Sequence, residues 1–452
     1  MNKTILTIDI GATNIVTVIA RNDFDDRINV LGVGNKHTSS VEKGLITNMQ
    51  DVGETIKQSV EEAKKSAEAT IDEVFVSFSP AETKNIISKG NVSIPNGIIT
   101  EKDLYQVMQM AHYNANIVPD YEAIHVFPIF FKVDDSGEFT NPLNMNASRL
   151  EASVYIVTAK KTAITNVKNA LKVAGIENST FVLHGYASAL ATISDEQKKF
   201  GVAVIDLGSS TSDVIIYKGN SIIYSDYIPV GSLSITNDLS IMLHTPPLAA
   251  ETIKINYGTL LPIDENDENS IKKIQVPIIG NELETKEVSI DRIQTIIHAR
   301  TEETLIFLAN KIKSSGLSDK LSGGIVLTGG LSKLEGIEEL ASMIFGNIPV
   351  KIANPKNIKN GYIDFNNPVM STTVGLLLYS LDQNPSFELD SNKKLRSPHK
   401  VKSTPSVKQE IPVMTTKTSQ KNSKIDLTGV KIPTENKENP ISKAWNKILG
   451  WF

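Results

Sequence analysis

Cysteine is absent from the 452-residue chain, which excludes disulfides, thiolate catalysis and Cys-ligated zinc or iron–sulfur sites. Histidine is scarce, with seven residues and no HExxH spacing, so a structural metal site is not expected. No run of eighteen apolar residues occurs, and a membrane-spanning helix needs roughly that length. The N-terminus, MNKTILTIDIG, enters a β-run and lacks the pattern of a signal peptide, so a cytoplasmic protein is expected. A strong charge of one sign is missing too: the net charge is −5. Without a folded basic face or interleaved aromatics, no nucleic-acid partner is expected. Tryptophan occurs only at Trp445 and Trp451.

Against these absences stands a duplication. TILTIDIGATN around Asp9 and GVAVIDLGSST around Asp206 lie 197 positions apart. Each is an apolar β-run ending in Asp-x-Gly, followed by small and hydroxyl residues and a second β-run, Ile15 to Ala20 and Val214 to Tyr217. Glycine permits a tight turn there, and backbone N–H groups in such turns cradle phosphate oxygens. An aspartate beside phosphate is suited to holding hydrated Mg²⁺ through oxygen. Two such turns suggest half-sites closing on one polyphosphate. A third turn, GGIVLTGGLSKLEG, brings the β-run Ile325 to Thr328 into Gly329 and Gly330. Glu251 and Lys254, three apart on a predicted helix after Pro247, share a face and suit either an adenosine or a surface ion pair.

From Met1 to about Leu381 β-runs alternate with helical stretches, as in an α/β protein. The spacing predicts a first core over 1–82 and 161–200, completed by 366–382, with an inserted subdomain over 83–160 that holds a helix from Glu101 to Asn114 and a β-run from Ala123 to Val133. A second core is expected over 201–235 and 309–365. A second insertion, 236–308, carries the helix after Pro247, a polar loop around Asp264 to Asn269 and a long helix from Asp291. Residues 383–438 are polar and rich in Pro, Ser, Thr and Lys, and read as a disordered basic linker. Residues 439–452 end the chain as an amphipathic helix.

The order DIGATN, YASALA, DLGSSTSD, TGGLSKLEG and PVMSTTVGLLLY resembles the nucleotide-site segments of the actin, DnaK-type chaperone and sugar-kinase superfamily. Within it, AIHVFPIFFKVDDSGEFTNPLNM, SDYIPVGSLSITNDLSIMLHTPPLAAETIKINYG and the ending NPISKAWNKILGWF resemble the FtsA family of bacterial cell-division proteins. The resemblance implies an actin-like fold of two duplicated α/β halves around a nucleotide cleft, with an FtsA-type inserted subdomain in the first half. It implies ATP and Mg²⁺ as ligands, filaments of the chain itself, FtsZ and other divisome proteins as partners, and a peripheral site on the cytoplasmic side of the inner membrane at the division site.

By the same resemblance Asp9, Gly11, Thr13 and Asn14 form the first phosphate loop, and Asp206, Gly208, Ser209, Ser210, Thr211 and Asp213 the second. Gly231 and Ser232 lie near ribose and phosphates, Glu251 and Lys254 near adenosine, and Gly329, Gly330 and Leu331 under the base, with Mg²⁺ between Asp9 and Asp206 through water. Relatives carry glycines where Ser209 and Ser210 stand, and a water-orienting Glu where this chain has His184. Nothing in the sequence supplies an orienting partner for that histidine, so slow or negligible hydrolysis is expected. Arg300 aligns with an arginine that in relatives meets the acidic FtsZ tail, and a surface pair with Glu303 or Glu302 is the plainer reading. A small-molecule kinase and a chaperone-like ATPase of the same superfamily remain alternatives.

The last twelve residues segregate on a helical wheel. Ile441, Ala444, Trp445, Ile448, Leu449, Trp451 and Phe452 occupy about 160° of arc at 100° per residue. Ser442, Lys443, Asn446, Lys447 and Gly450 fill the rest. Both tryptophans on the stripe and the flanking lysines favour an in-plane helix on anionic lipid. Nine Lys/Arg between Asn392 and Lys424, against the single acidic Glu410, add attraction to such a surface or serve only as a solvated spacer.

Overall fold

The computed structural model describes residues 3–22, 28–67, 69–219, 221–261, 272–358, 360–381 and 386–398. The sequence duplication reappears as a duplication of topology. One five-stranded sheet has the order Thr180–Leu183, Glu73–Phe78, Thr4–Ile10, Asn14–Asn22, Ile28–His37. The other has Val350–Ile352, Ile325–Thr328, Val202–Leu207, Ser212–Lys218, Ser221–Ile228. In both, three consecutive strands pair antiparallel and two later strands add in parallel beside the first. Parallel neighbours require crossovers, and the long insertions lie within or beside them. The central strands are buried, all six residues of Val202–Leu207 among them, which is why they read as nearly unbroken apolar runs.

Helices His184–Thr192 and Ser371–Ser380 belong to an apolar cluster that also takes in Ile5 and Val76 of the first sheet and Val204, Ile215 and Val326 of the second. Every residue of Ser371–Ser380 is buried. At Gly375 a Cβ would meet the Ala187 carbonyl oxygen at 1.7 Å, so the two helices touch backbone to backbone, a contact only glycine permits.

The first insertion forms a sheet of its own, Thr83–Ser93, Arg149–Lys160 and Tyr121–Val133 side by side, under helix Glu101–Asn114. That helix has its predicted bounds, set by a capping box in which Thr100 and Asp103 satisfy each other's backbone N–H. Two boundaries differ from expectation. Residues 386–398 are not linker: strands Glu388–Leu389 and Leu395–Arg396 extend the inserted sheet, with Leu389 opposite Val126. Few large apolar groups occur there, but Phe387 and Leu389 enter the subdomain's core, and that small number is what the composition concealed. The second insertion also lacks clean edges at 236 and 308. Both positions fall inside helices, Ser232–Met242 and Ile290–Ser314, whose apolar periodicity carries on to buried Ile235 and Ile312. Between them stand helix Pro247–Tyr257 and an unforeseen hairpin, Lys273–Ile278 with Asn281–Ser289. The loop at 264–269, the remaining linker and the helix expected at 439–452 lie outside the described residues.

Candidate functional site

Strands Thr4–Ile10 and Val202–Leu207 deliver Asp9 and Asp206 to matching turns, closed by Gly11 N to Asn14 O and Gly208 N to Thr211 O, each 3.0 Å. Both carboxylates are buried and tied to the helices between the sheets. Thr373 Oγ1 donates to Asp9 Oδ2 at 2.9 Å. Thr372 Oγ1 donates to Asp206 Oδ2 at 3.3 Å, and Ser188 Oγ donates to the same oxygen. Ser77 Oγ accepts from Ile10 N at 2.8 Å, steadying the first turn.

The third turn closes on the second aspartate. Gly329 has φ +85°, and a Cβ there would meet Asp206 Oδ1 at 2.2 Å, so glycine is required on both counts. Gly330 then opens a short 3-10 turn, Gly330–Lys333, with Leu331 buried. Gly231 and Ser232 lie beside the second loop, Ser232 N donating to Gly208 O at 3.0 Å and Leu233 N to Ser209 O at 2.8 Å. Lys254 Nζ bonds Glu251 Oε2 at 2.7 Å, Thr236 Oγ1 at 2.9 Å and Ser232 O at 3.2 Å. The helix pair thus anchors the loop carrying Gly231 and Ser232. Thr13 and Asn14 sit at the first turn, Asn14 Nδ2 donating to Thr13 Oγ1 at 3.4 Å.

His184 is the point of convergence, and here the structure corrects the sequence reading. Three carboxylates surround the imidazole: Asp213 Oδ2 at 3.4 Å from Nδ1, Asp9 Oδ1 at 3.6 Å from Nε2 and Asp206 Oδ2 at 3.7 Å from Nδ1. Burial alone would lower its pKa; the close approach of Asp213 and the charges of Asp9 and Asp206 outweigh that and push it up to about 10. Burial pushes the Asp9 and Asp213 carboxyls above their ordinary values, against the lowering influence of His184. The partners were invisible in sequence because Asp9 is far from His184 in the chain and meets it only through the fold.

A pH effect follows. A group whose pKa rises on folding stabilises the folded chain fully below its unfolded value, near 6.5, and loses that contribution as pH climbs toward 10. Without nucleotide, urea denaturation of the unsubstituted chain is expected to lose stability between pH 6.5 and 9.5. His184→Gln, which leaves the aspartates without their cation, is expected to cost roughly 3 kcal/mol at pH 7 and to flatten that slope. Parallel pH profiles for the two chains would contradict the assignment.

The donor set fits a hydrated divalent cation with polyphosphate. Asp9 Oδ1 and both Asp213 oxygens are buried beside His184 without a hydrogen bond among the described residues, carboxylate oxygens are ligands of the kind Mg²⁺ prefers, and the two turns offer backbone N–H groups. Among the described residues no acidic or histidine cluster is set to ligate a bare ion.

Sequence reasoning did not name Ser77, Ser188, Thr372 or Thr373. Hydroxyls inside the otherwise apolar segments SALA and STTVG were the available signal. Arg300 forks onto Asp238, Nη2 to Oδ1 at 3.0 Å, and also donates to Glu303. Asp238 was not foreseen, and Glu302 instead lies 3.8 Å from His298 Nδ1.

The model "Cell division protein FtsA" matches residues 203–375, and "SHS2 domain inserted in FTSA" matches residues 81–158. Cell division protein FtsA of Helicobacter pylori (strain ATCC 700392 / 26695) is 33% identical over 420 residues, covering 87% of this chain and 85% of its own length. Among solved structures, the PilM-PilN type IV pilus biogenesis complex aligns with a TM-score of 0.55 at 16% identity, over 83% of this chain and 98% of that one. MreB5 of Spiroplasma citri bound to ADP aligns with a TM-score of 0.51 at 14% identity, over 85% of this chain and 98% of that one. At such identities the two structures speak to the fold alone, which is actin-like, with an inserted SHS2 domain in its first half. On the sequence match over most of both chains, the protein belongs to the FtsA family of cell-division proteins.

Proposed function

We propose that the chain is an ATP-binding, filament-forming adaptor that holds FtsZ filaments to the cytoplasmic face of the inner membrane at the division site. The observation that carries the ATP reading is the pair of duplicated turns whose Asp9 and Asp206 flank His184, with Asp9 Oδ1 and both Asp213 oxygens buried and free of hydrogen bonds among the described residues. Gly11, Thr13 and Asn14 on one side and Gly208 to Thr211 on the other would cradle the phosphates. Asp9 and Asp206 would orient the water shell of Mg²⁺, which supplies the charge that lets phosphate approach acidic side chains. Lys254 and Glu251 would flank the adenosine, with Gly329 to Leu331 beneath the base. The related MreB5 structure with ADP is consistent with such a site.

His184 stands where relatives carry a water-orienting Glu, so slow hydrolysis is expected, with the bound nucleotide acting as a clamp on the two halves. Membrane contact falls to Trp445, Trp451, Phe452 and their apolar neighbours, with Lys443 and Lys447 at the lipid headgroups. For the FtsZ tail, Arg300 offers a bidentate guanidinium, on condition that an incoming carboxylate exchanges with Asp238 or Glu303.

Electron microscopy with ATP on anionic lipid, with and without FtsZ, tests this reading. Filaments of the chain on the lipid, with FtsZ filaments alongside that are lost in Arg300→Glu, are expected. A bare membrane together with rapid phosphoryl transfer to a small metabolite would replace the adaptor with an enzyme.

A further inference from the structure

A second set of buried charged side chains gathers around Glu388 and Arg396. Glu388 is 0% exposed. Its carboxylate accepts from His125 Nδ1 at 2.6 Å, Tyr379 OH at 2.8 Å and Tyr186 OH at 3.2 Å. His125 Nε2 in turn accepts the Leu183 backbone N–H at 2.9 Å, which makes the ring neutral with its proton on Nδ1. Arg396, opposite Glu388 in the same two-stranded ribbon, lies over the Tyr379 ring with Cζ 4.2 Å from its centroid and donates to the Tyr379 carbonyl. The ribbon therefore brings both a negative and a positive charge into the core.

What this cluster touches gives it meaning. Leu183 and Tyr186 bracket His184 at the start of one helix, and Tyr379 ends the helix that begins with the residues holding Asp9 and Asp206. Residues 386–398 also reach the strand that leads into His184: Ser391 Oγ accepts from Phe181 N at 2.9 Å, and Asn392 Nδ2 donates to Thr180 Oγ1 at 2.9 Å. On their other edge they pair with the inserted sheet through Leu389 and Val126. A two-residue strand pairing alone is a weak attachment, so the buried polar network seats it together with Phe387 and Leu389 in the core, and a network of this kind has one satisfied arrangement.

We infer that residues 386–398 are a strap that couples the inserted sheet to the nucleotide cleft, with Glu388 as its positioning residue. A docked strap fixes the helix starts that present His184 and Ser188 and, through Tyr379, the helix that presents Thr372 and Thr373. Docking or release of the strap changes how well those groups are set for ATP. Coupling is reciprocal, so ATP must also tighten the strap. This inference rests on the ATP-binding reading above.

Amide hydrogen exchange on the full-length chain, with and without ATP and Mg²⁺, tests it. Exchange over 386–398 is expected to slow about fivefold or more on ATP binding. Glu388→Gln, which keeps the shape but can no longer accept all three bonds as an anion, is expected to weaken ATP about fivefold and to abolish the ATP response of the strap. Tyr379→Phe, which removes one hydroxyl and keeps the ring, provides a milder variant with the same sign should Glu388→Gln fail to fold. ATP binding by the unsubstituted chain with unchanged exchange over 386–398 would overturn the strap alone. No ATP binding by the unsubstituted chain would overturn the ATP reading and the strap with it.

Discussion

Deleting residues 440–452 is expected to abolish co-sedimentation with anionic liposomes while leaving the affinity for ATP unchanged. The double change Trp445→Glu and Trp451→Glu is expected to do the same. Each large apolar side chain withdrawn from water contributes about 1.5–3 kcal/mol, so replacing two costs on the order of 4 kcal/mol, roughly a thousandfold in affinity. One short amphipathic helix binds reversibly at best. A filament that presents many copies multiplies weak attachments through effective concentration, so the loss is expected to be largest under conditions that support assembly. High salt should weaken the residual contribution of Lys443 and Lys447 without substituting for the apolar stripe. Undiminished sedimentation of the truncated chain would place the membrane contact elsewhere.

Asp206→Ala is the second large effect, expected to weaken Mg-ATP binding by a hundredfold or more in equilibrium titration. Asp206 receives Ser188 and Thr372, faces His184 and abuts Gly329, so the second and third turns and the two helices lose their common point at once. Truncation removes an oxygen ligand for the hydrated cation and leaves hydroxyl donors buried without an acceptor, at roughly 1–3 kcal/mol. It also removes one of three mutually repelling carboxylates, so thermal stability without nucleotide is expected to change far less than affinity. An unchanged dissociation constant would remove Asp206 from the site.

Legibility in the sequence followed the distance over which each feature is determined. Strands such as Ile325–Thr328 and Val202–Leu207 were readable because burial on both faces leaves nearly continuous apolar runs. The helix at Glu101–Asn114 was readable because its cap is local, Thr100 and Asp103 being three residues apart. The duplicated Asp-Gly turns survived as matching words because matching topology holds them. Features that depend on remote partners left little trace. Thr373 meets Asp9 across 364 positions, Glu388 meets His125 across 263, and Arg300 meets Asp238 across 62. The strap at 386–398 looked like the start of a linker because only Phe387 and Leu389 carry its apolar burial and the rest of its stabilisation comes from buried polar pairing that a composition-based reading scores against folding. His184 shows the same limit: the substitution was visible, and the three aspartates that surround it were not.

Flotation of FtsZ with anionic vesicles, in the presence of the full-length chain and Mg-ATP, tests the account most directly. FtsZ is expected to rise with the vesicles when the chain is intact and to stay below when residues 440–452 are removed or when Asp206→Ala empties the cleft. FtsZ remaining below with the intact chain, or rising equally with the truncated one, would contradict it.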